Sequence, residues 1–262
     1  MKYNSMKHQP QLSAIRLYGA LAMILVLLSG LGTNLAAETN PGFTPESDKN
    51  DSLEAALRMI RASQNRLAPV YEPLAKHLAK ELKLTEKNGI GIDIGSGPGA
   101  LILELCKRTE LHWINADINP HFFSYFMRQA SANKLTGRVS AIQADVHALP
   151  FRDGLADVIV SRGSFWLWQD KPKAFKEILR VLKPGGVAYI GRGFSENLPL
   201  EAAQRIRKQG GGRIKYDVNE TVAELNQIMH SLKIHDFHII RPRPDNEAGI
   251  NYGVWVKFTK QG

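Results

Sequence analysis

The chain has 262 residues, 44% of them hydrophobic, and a formal net charge of +9, which suits one large α/β domain or two small ones with a full core. Its single cysteine, Cys106, excludes an internal disulfide framework and a cysteine-rich zinc site. Three of the excess charges (Lys2, Lys7, Arg16) fall in the acid-free residues 1–37, leaving +6 for the rest. That surplus suits anionic partners and, without basic residues interleaved with aromatics, is no argument for nucleic acid.

After the three basic residues comes an uncharged stretch from Leu17 to Ala37, centred on Leu21-Ala22-Met23-Ile24-Leu25-Val26-Leu27-Leu28. A basic start, an apolar middle and the small Ala36 and Ala37 match a secretory signal. The length of the apolar stretch also suits an uncleaved membrane anchor. Glu38 and Asp48 follow it, so charge puts the N-terminus inside. The folded domain is then expected outside the cytoplasm, exported or membrane-anchored, or inside it if this segment is not an export signal. Residues 38–51, polar with Pro and Gly, read as a linker, and 52–262 as the domain.

Ser52 is expected to cap a helix running through Ala62. A second helix is expected after Tyr71-Glu72-Pro73, with Leu74, Leu78 and Leu82 on one face. From Gly89 onward strands and helices alternate. The strand Ile90–Ile94 stops in Gly95-Ser96-Gly97-Pro98-Gly99, and a helix follows to Lys107. Glycines leave the main chain open to a ligand, and helix-start amides would face it. The strand Leu111–Ala116 precedes a helix opened by Asn119-Pro120, a capping pair. Strands Val139–Ala144 and Asp157–Ser161, helix Pro172–Leu182, a Lys183-Pro184-Gly185-Gly186 turn and strand Val187–Gly191 continue the pattern. A helix Val218–Leu232 and a hairpin of Ile234–Ile240 with Tyr252–Phe258 close the chain. Repeated β-α-β units predict a mostly parallel α/β sheet with helices on both faces and an antiparallel C-terminal strand.

In such a sheet ligands sit at the carboxyl ends of the strands. Three acids fall there: Asp93, Asp117 and Asp145. Asp117 lies 24 residues beyond Asp93, a spacing that suits a carboxylate gripping a ribose diol. Asp145-Val146 lies where an adenine ring would rest, and Asp93 is placed to orient the turn or a ligand's ammonium.

Taken together, Asp93-Ile94-Gly95-Ser96-Gly97-Pro98-Gly99, Asp117, Ala144-Asp145-Val146-His147-Ala148-Leu149-Pro150-Phe151 and Leu179-Arg180-Val181-Leu182-Lys183-Pro184-Gly185-Gly186 resemble the class I S-adenosylmethionine-dependent methyltransferases, in their small-molecule branch. The resemblance covers roughly residues 52–260. It implies a Rossmann-like seven-stranded sheet and S-adenosyl-L-methionine as cofactor. It also implies cofactor contacts from Tyr71, Asp93, Gly95, Ser96, Gly97, Asp117, Ile118, Asp145, Val146, Ser161 and Arg162.

An NAD(P)-binding Rossmann oxidoreductase is an alternative, since Gly95-x-Gly97-x-x-Ala100 with Asp117 fits its looser fingerprint. It gives no reason for Asp93, for Asp145-Val146 or for the terminal hairpin. A non-catalytic module binding S-adenosyl nucleotides is a second alternative. Methyl transfer is an in-line displacement that positioning alone can drive. His147, two residues past Asp145, is the candidate base, and a plain loop histidine is the competing reading. Trp166, Trp168 and Arg192 are the candidate substrate contacts, for a small-molecule methyl acceptor. His235 and His238 face opposite ways on a strand, so no metal site is expected.

Overall fold

The structure, a computed structural model, describes residues 45–210 and 217–262; residues 1–37, where the signal or anchor is expected, lie outside the described residues. Along the chain come α1 (Pro45–Gln64), α2 (Ala68–Glu81), β1 (Ile90–Ile94), α3 (Ala100–Cys106), β2 (His112–Asp117) and α4 (Phe123–Ala132). Then follow β3 (Val139–Gln143), β4 (Ala156–Arg162), α5 (Lys171–Val181), β5 (Leu182–Gly193), α6 (Leu200–Gln209), α7 (Val218–Ser231), β6 (Phe237–Ile240) and β7 (Gly253–Thr259). Among the described residues no helix is long and apolar enough to cross a membrane.

The seven strands pair in the order β3-β2-β1-β4-β5-β7-β6. β7 runs antiparallel to both of its neighbours, and β1 to β5 are mutually parallel. Order reverses between β1 and β4, so the crevice at their carboxyl ends is the expected ligand rim. Alternation along the strands sends side chains to two cores. Val158, Val160, Val187 and Tyr189 pack with α2, α3, α4 and α6, while Ile159, Ala188 and Ile190 pack with α5 and α7. In this register Asp93 lies beside Val160. Period two then places Arg162, at the end of β4, on the same face as Asp93.

Two of the sequence motifs prove to be one hydrogen-bonded structure. Arg180, near the end of α5, donates through Nη2 to the Leu149 carbonyl at 2.9 Å and through Nη1 to the Phe151 carbonyl at 2.7 Å. Glu177 accepts from the Leu149 amide at 2.9 Å. The loop carrying Asp145 and Val146 is therefore held by the helix that precedes Lys183-Pro184-Gly185-Gly186.

Several elements differ from expectation. Helix α1 begins at Pro45, within the expected linker, so Ser52 is not a cap. Instead its hydroxyl donates to Asn119 Oδ1 at 3.3 Å and its carbonyl accepts from Asn119 Nδ2 at 2.8 Å. Helix α2 starts at Ala68, ahead of Tyr71, and carries Pro73 inside it. Lys183–Gly186 is a bulge within β5, where Leu182 still pairs with Ala156 and Val187 with Val158. β6 starts only at Phe237, because the Ile234 amide is spent on the Met229 carbonyl at 2.9 Å, closing α7 beside a left-handed Lys233.

Candidate functional site

The glycine turn is tied to β2 by three hydrogen bonds. The Gly95 amide donates to the Ala116 carbonyl at 2.7 Å, the Gly97 amide to Asp117 Oδ2 at 2.8 Å, and Asn115 Nδ2 to the Gly97 carbonyl at 3.0 Å. The Gly99 amide bonds the Ser96 carbonyl at 3.1 Å. Glycine is required at position 95 twice over. Its φ is +65°, and a Cβ there would meet Ser164 Cβ at 2.3 Å. Ser164 is itself fixed, donating to the Ile94 carbonyl at 3.1 Å and lying 2.7 Å from the Ser161 hydroxyl.

The amides of Gly95, Gly97 and Gly99 are thus already satisfied within the turn and by β2. Two buried carboxylates lie beside this turn, where a dinucleotide would place its pyrophosphate. Their like charge argues against the NAD(P) reading.

Those carboxylates are Asp93 and Asp117. Asp93 is 2% exposed; its Oδ2 accepts from Ser96 Oγ at 2.8 Å and its Oδ1 is buried with no partner. Burial, reinforced by the nearby Asp117, pushes Asp93 up to about 7 against the pull of Ser96 and Arg162. Arg162 offers the matching donor, a buried Nε without a partner. Its guanidinium lies 5.5 Å from the centroid of the Tyr71 ring. A buried polar group without a partner costs stability unless a ligand supplies one. Burial also raises Asp117, against the amides of Asn119 (2.9 Å) and Gly97, which favour its charge.

Three neighbouring clefts open along the rim. The middle one, about 230 Å³, is lined by Asp93, Ser96, Gly97, Tyr71, Arg162 and Asp117 among others. It shares Gly95, Asp117 and Leu167 with a cleft of about 220 Å³ formed with Ile118, Asp145, Val146, His147 and Trp168. On its other side it shares Met59, Leu67, Arg162 and Gly163 with a cleft of about 390 Å³, which also takes in Trp166 and Arg192.

A family model described as a methyltransferase domain matches residues 92–190. A solved structure from Methanococcus maripaludis, classed with the S-adenosyl-L-methionine-dependent methyltransferases, is similar with a TM-score of 0.69 and 32% identity, over 80% of this chain and 94% of that one. The chain belongs to the class I S-adenosylmethionine-dependent methyltransferases. Among curated relatives of this methyltransferase, the ubiquinone/menaquinone biosynthesis C-methyltransferase of Idiomarina loihiensis is 36% identical over 101 residues, 38% of this chain and 40% of that protein. An uncharacterized methyltransferase of Bacillus subtilis is 26% identical over 125 residues, 47% of this chain and 66% of that protein. The chain therefore spans less than two-thirds of the length of these relatives.

The methyltransferase donor carries a purine, a ribose and an amino-acid end with one ammonium and one carboxylate. The rim offers complementary groups in that order. Val146 is buried and Ile118 is 65% exposed, both on the outer cleft, as an apolar pair for a flat ring. Asp145 stands beside them, held low by hydrogen bonds from the His147 amide at 2.9 Å and the His147 ring at 2.7 Å. Asp117 follows, then the unpartnered Asp93 Oδ1 and Arg162 Nε. The residues present fit the cofactor.

Three of the expected site residues have other contacts in this structure. His147 lines the outer cleft, away from Trp166 and Arg192, and both its ring nitrogens are engaged. Nε2 accepts from the Asp170 amide at 3.2 Å, which leaves Nδ1 to donate to Asp145. These contacts clamp the loop that carries Asp145. Trp168 lines this same outer cleft, apart from Trp166 and Arg192, and packs edge-on against Phe165 and Phe175. Ser161 is buried behind Ser164 and props the glycine turn.

Met59, Leu67 and Phe122 on the middle cleft, and Arg66 and Phe194 on the 390 Å³ one, escaped sequence reasoning. They come from α1 and connecting segments without a motif.

Proposed function

We propose that this chain transfers the methyl group of S-adenosylmethionine to a small-molecule acceptor. The observation that carries the reading is the pair of buried, unpartnered atoms, Asp93 Oδ1 and Arg162 Nε, facing one cleft that opens into a second. When bound, the sulfonium supplies an activated methyl carbon. Asp93 would accept from the ammonium and Arg162 would donate to the carboxylate, while Asp117 would hold the ribose and Asp145 with Val146 the adenine. Met59, Leu67 and Tyr71 shield the junction of the two clefts from water. Bound S-adenosylmethionine would supply that methyl to a lone pair of the acceptor and keep the C–S electrons as a thioether, with any acceptor proton released to solvent. Alignment in a dry site supplies most of the rate.

Calorimetric titration of the chain with S-adenosylmethionine and S-adenosylhomocysteine tests this. Micromolar binding of both with NADH excluded is the expected result; NADH binding in their place overturns it. A pure binding module would bind the cofactor tightly without turnover across a metabolite panel. The basic and apolar residues 1–37 support export or anchoring of the domain. Cell fractionation together with the mass of the mature N-terminus tests that placement.

A further inference from the structure

The clefts of about 230 and 390 Å³ share four wall residues: Met59, Leu67, Arg162 and Gly163. Three of them carry large side chains, and Gly163 has none. Its backbone is held from both sides. The Gly163 amide donates to the Gly191 carbonyl at 2.7 Å, and its carbonyl accepts from Trp166 Nε1 at 2.9 Å.

Two other glycines of the rim are crowded. A Cβ on Gly95 would run into Ser164, and one on Gly99 into the Phe126 ring. At Gly163 a Cβ would meet nothing within 4 Å beyond its chain neighbours. The φ of +79° favours glycine there, yet asparagine also tolerates a left-handed backbone. The angle alone therefore does not call for the open space beside the residue.

That space has a use in methyl transfer. With the donor's amino-acid end at Asp93 and Arg162 and its ribose at Asp117, the sulfur between them would belong to the middle cleft. Its methyl group would have to leave that cleft toward an acceptor in the adjoining one, for displacement in line. Met59, Leu67 and Arg162 occupy the rest of the shared wall with side chains, which leaves Gly163 as the way through.

We infer that Gly163 keeps open the gap through which the donor's methyl group meets the acceptor cleft, so that this position sets the room for the transferred group. The inference rests on the methyl-transfer reading above and adds a residue whose part is the absence of a side chain.

Calorimetry on the full chain tests it with two ligands that differ by that methyl, S-adenosylmethionine and S-adenosylhomocysteine. Gly163→Ala should weaken S-adenosylmethionine at least about tenfold, as for an extra methyl forced into a filled space. S-adenosylhomocysteine, which puts nothing in the gap, should stay within about twofold of its wild-type affinity. The substitution is neutral, so the wild-type ratio of the two affinities already contains the effect of the sulfonium charge.

Gly163→Asn separates crowding from backbone strain, and it decides if the alanine variant does not fold. Asparagine accepts a left-handed backbone more readily than alanine and fills more of the gap. It should therefore weaken S-adenosylmethionine more than alanine does, again with S-adenosylhomocysteine retained. Equal weakening of both ligands, no weakening of either, or a smaller loss for asparagine than for alanine overturns the inference. Failure of S-adenosylhomocysteine to bind the wild type overturns the donor reading, and the gap with it.

Discussion

At one end of the rim the clefts are lined by Asp93, Asp117 and Asp145, and at the other by Arg66, Arg192 and Arg207. The acidic end is built from residues at the ends of β1 and β2 and in the loop after β3, each within a few residues of a strand that the sheet positions. The basic end is gathered from the α1–α2 connection, the end of β5 and α6. Parts that follow successive strands are positioned by the sheet itself, whereas parts drawn from helices and connections depend on how those elements pack against it.

The largest effect expected at the acidic end is that of Asp117→Ala. It removes the acceptor for the Gly97 and Asn119 amides and the proposed ribose contact. Affinity for S-adenosylhomocysteine should fall at least about hundredfold by calorimetry, as for the loss of charged hydrogen bonds. Retained affinity would undo the ribose assignment. Next comes Gly95→Ala, which forces a side chain onto a left-handed residue and into Ser164. Urea denaturation should show a loss of about 2–3 kcal/mol. The double variant with Ser164→Gly should recover part of it, since the nearest contact is the serine side chain.

Asp93 ties charge to binding. With its folded value near 7, it is protonated at lower pH, and an ammonium seated on Oδ1 must expel that proton. Affinity for S-adenosylhomocysteine should therefore rise with pH, by up to about tenfold per unit below 7, and level off above. The ligand-free protein should show the opposite slope. Between about 4 and 7 its folded state holds more protons than the unfolded chain, so stability falls as pH rises. Asp93→Asn should flatten both slopes; a slope that survives points to another group.

The smallest effect is expected from His147→Ala. Loss of the Asp145 and Asp170 contacts loosens the outer cleft, and S-adenosylhomocysteine affinity should drop about two- to fivefold, as for one hydrogen bond of about 1 kcal/mol or less. A loss of turnover far beyond the loss of binding would restore the histidine as a base.

The parallel sheet, its antiparallel β7 and the three rim acids were legible because each reports on local chemistry. Period-two apolar runs mark strands, Asn119-Pro120 marks a helix start, and the glycine spacing marks a tight turn. The errors arose where the same residue types had a second use. Ser52 resembles a cap but bonds Asn119 from inside α1. Ile234 has the pattern of a strand, yet its amide closes α7. Trp168 belongs to a ligand-side loop and still turns into the core beside Phe175. His147 follows Asp145 in sequence, and only the structure showed the Asp170 amide on its Nε2.

By itself, the sequence determined the class of fold and the order of the three acids along the rim, because both depend on residues close together in the chain and on the pleat that carries them. Tertiary structure alone decided that the glycine amides are spent on β2 and that Asp93 and Arg162 each keep an unpartnered atom in one cleft. It alone brought together arginines as far apart as positions 66 and 207. Those outcomes depend on the desolvation and packing of groups distant in sequence, which no local pattern encodes.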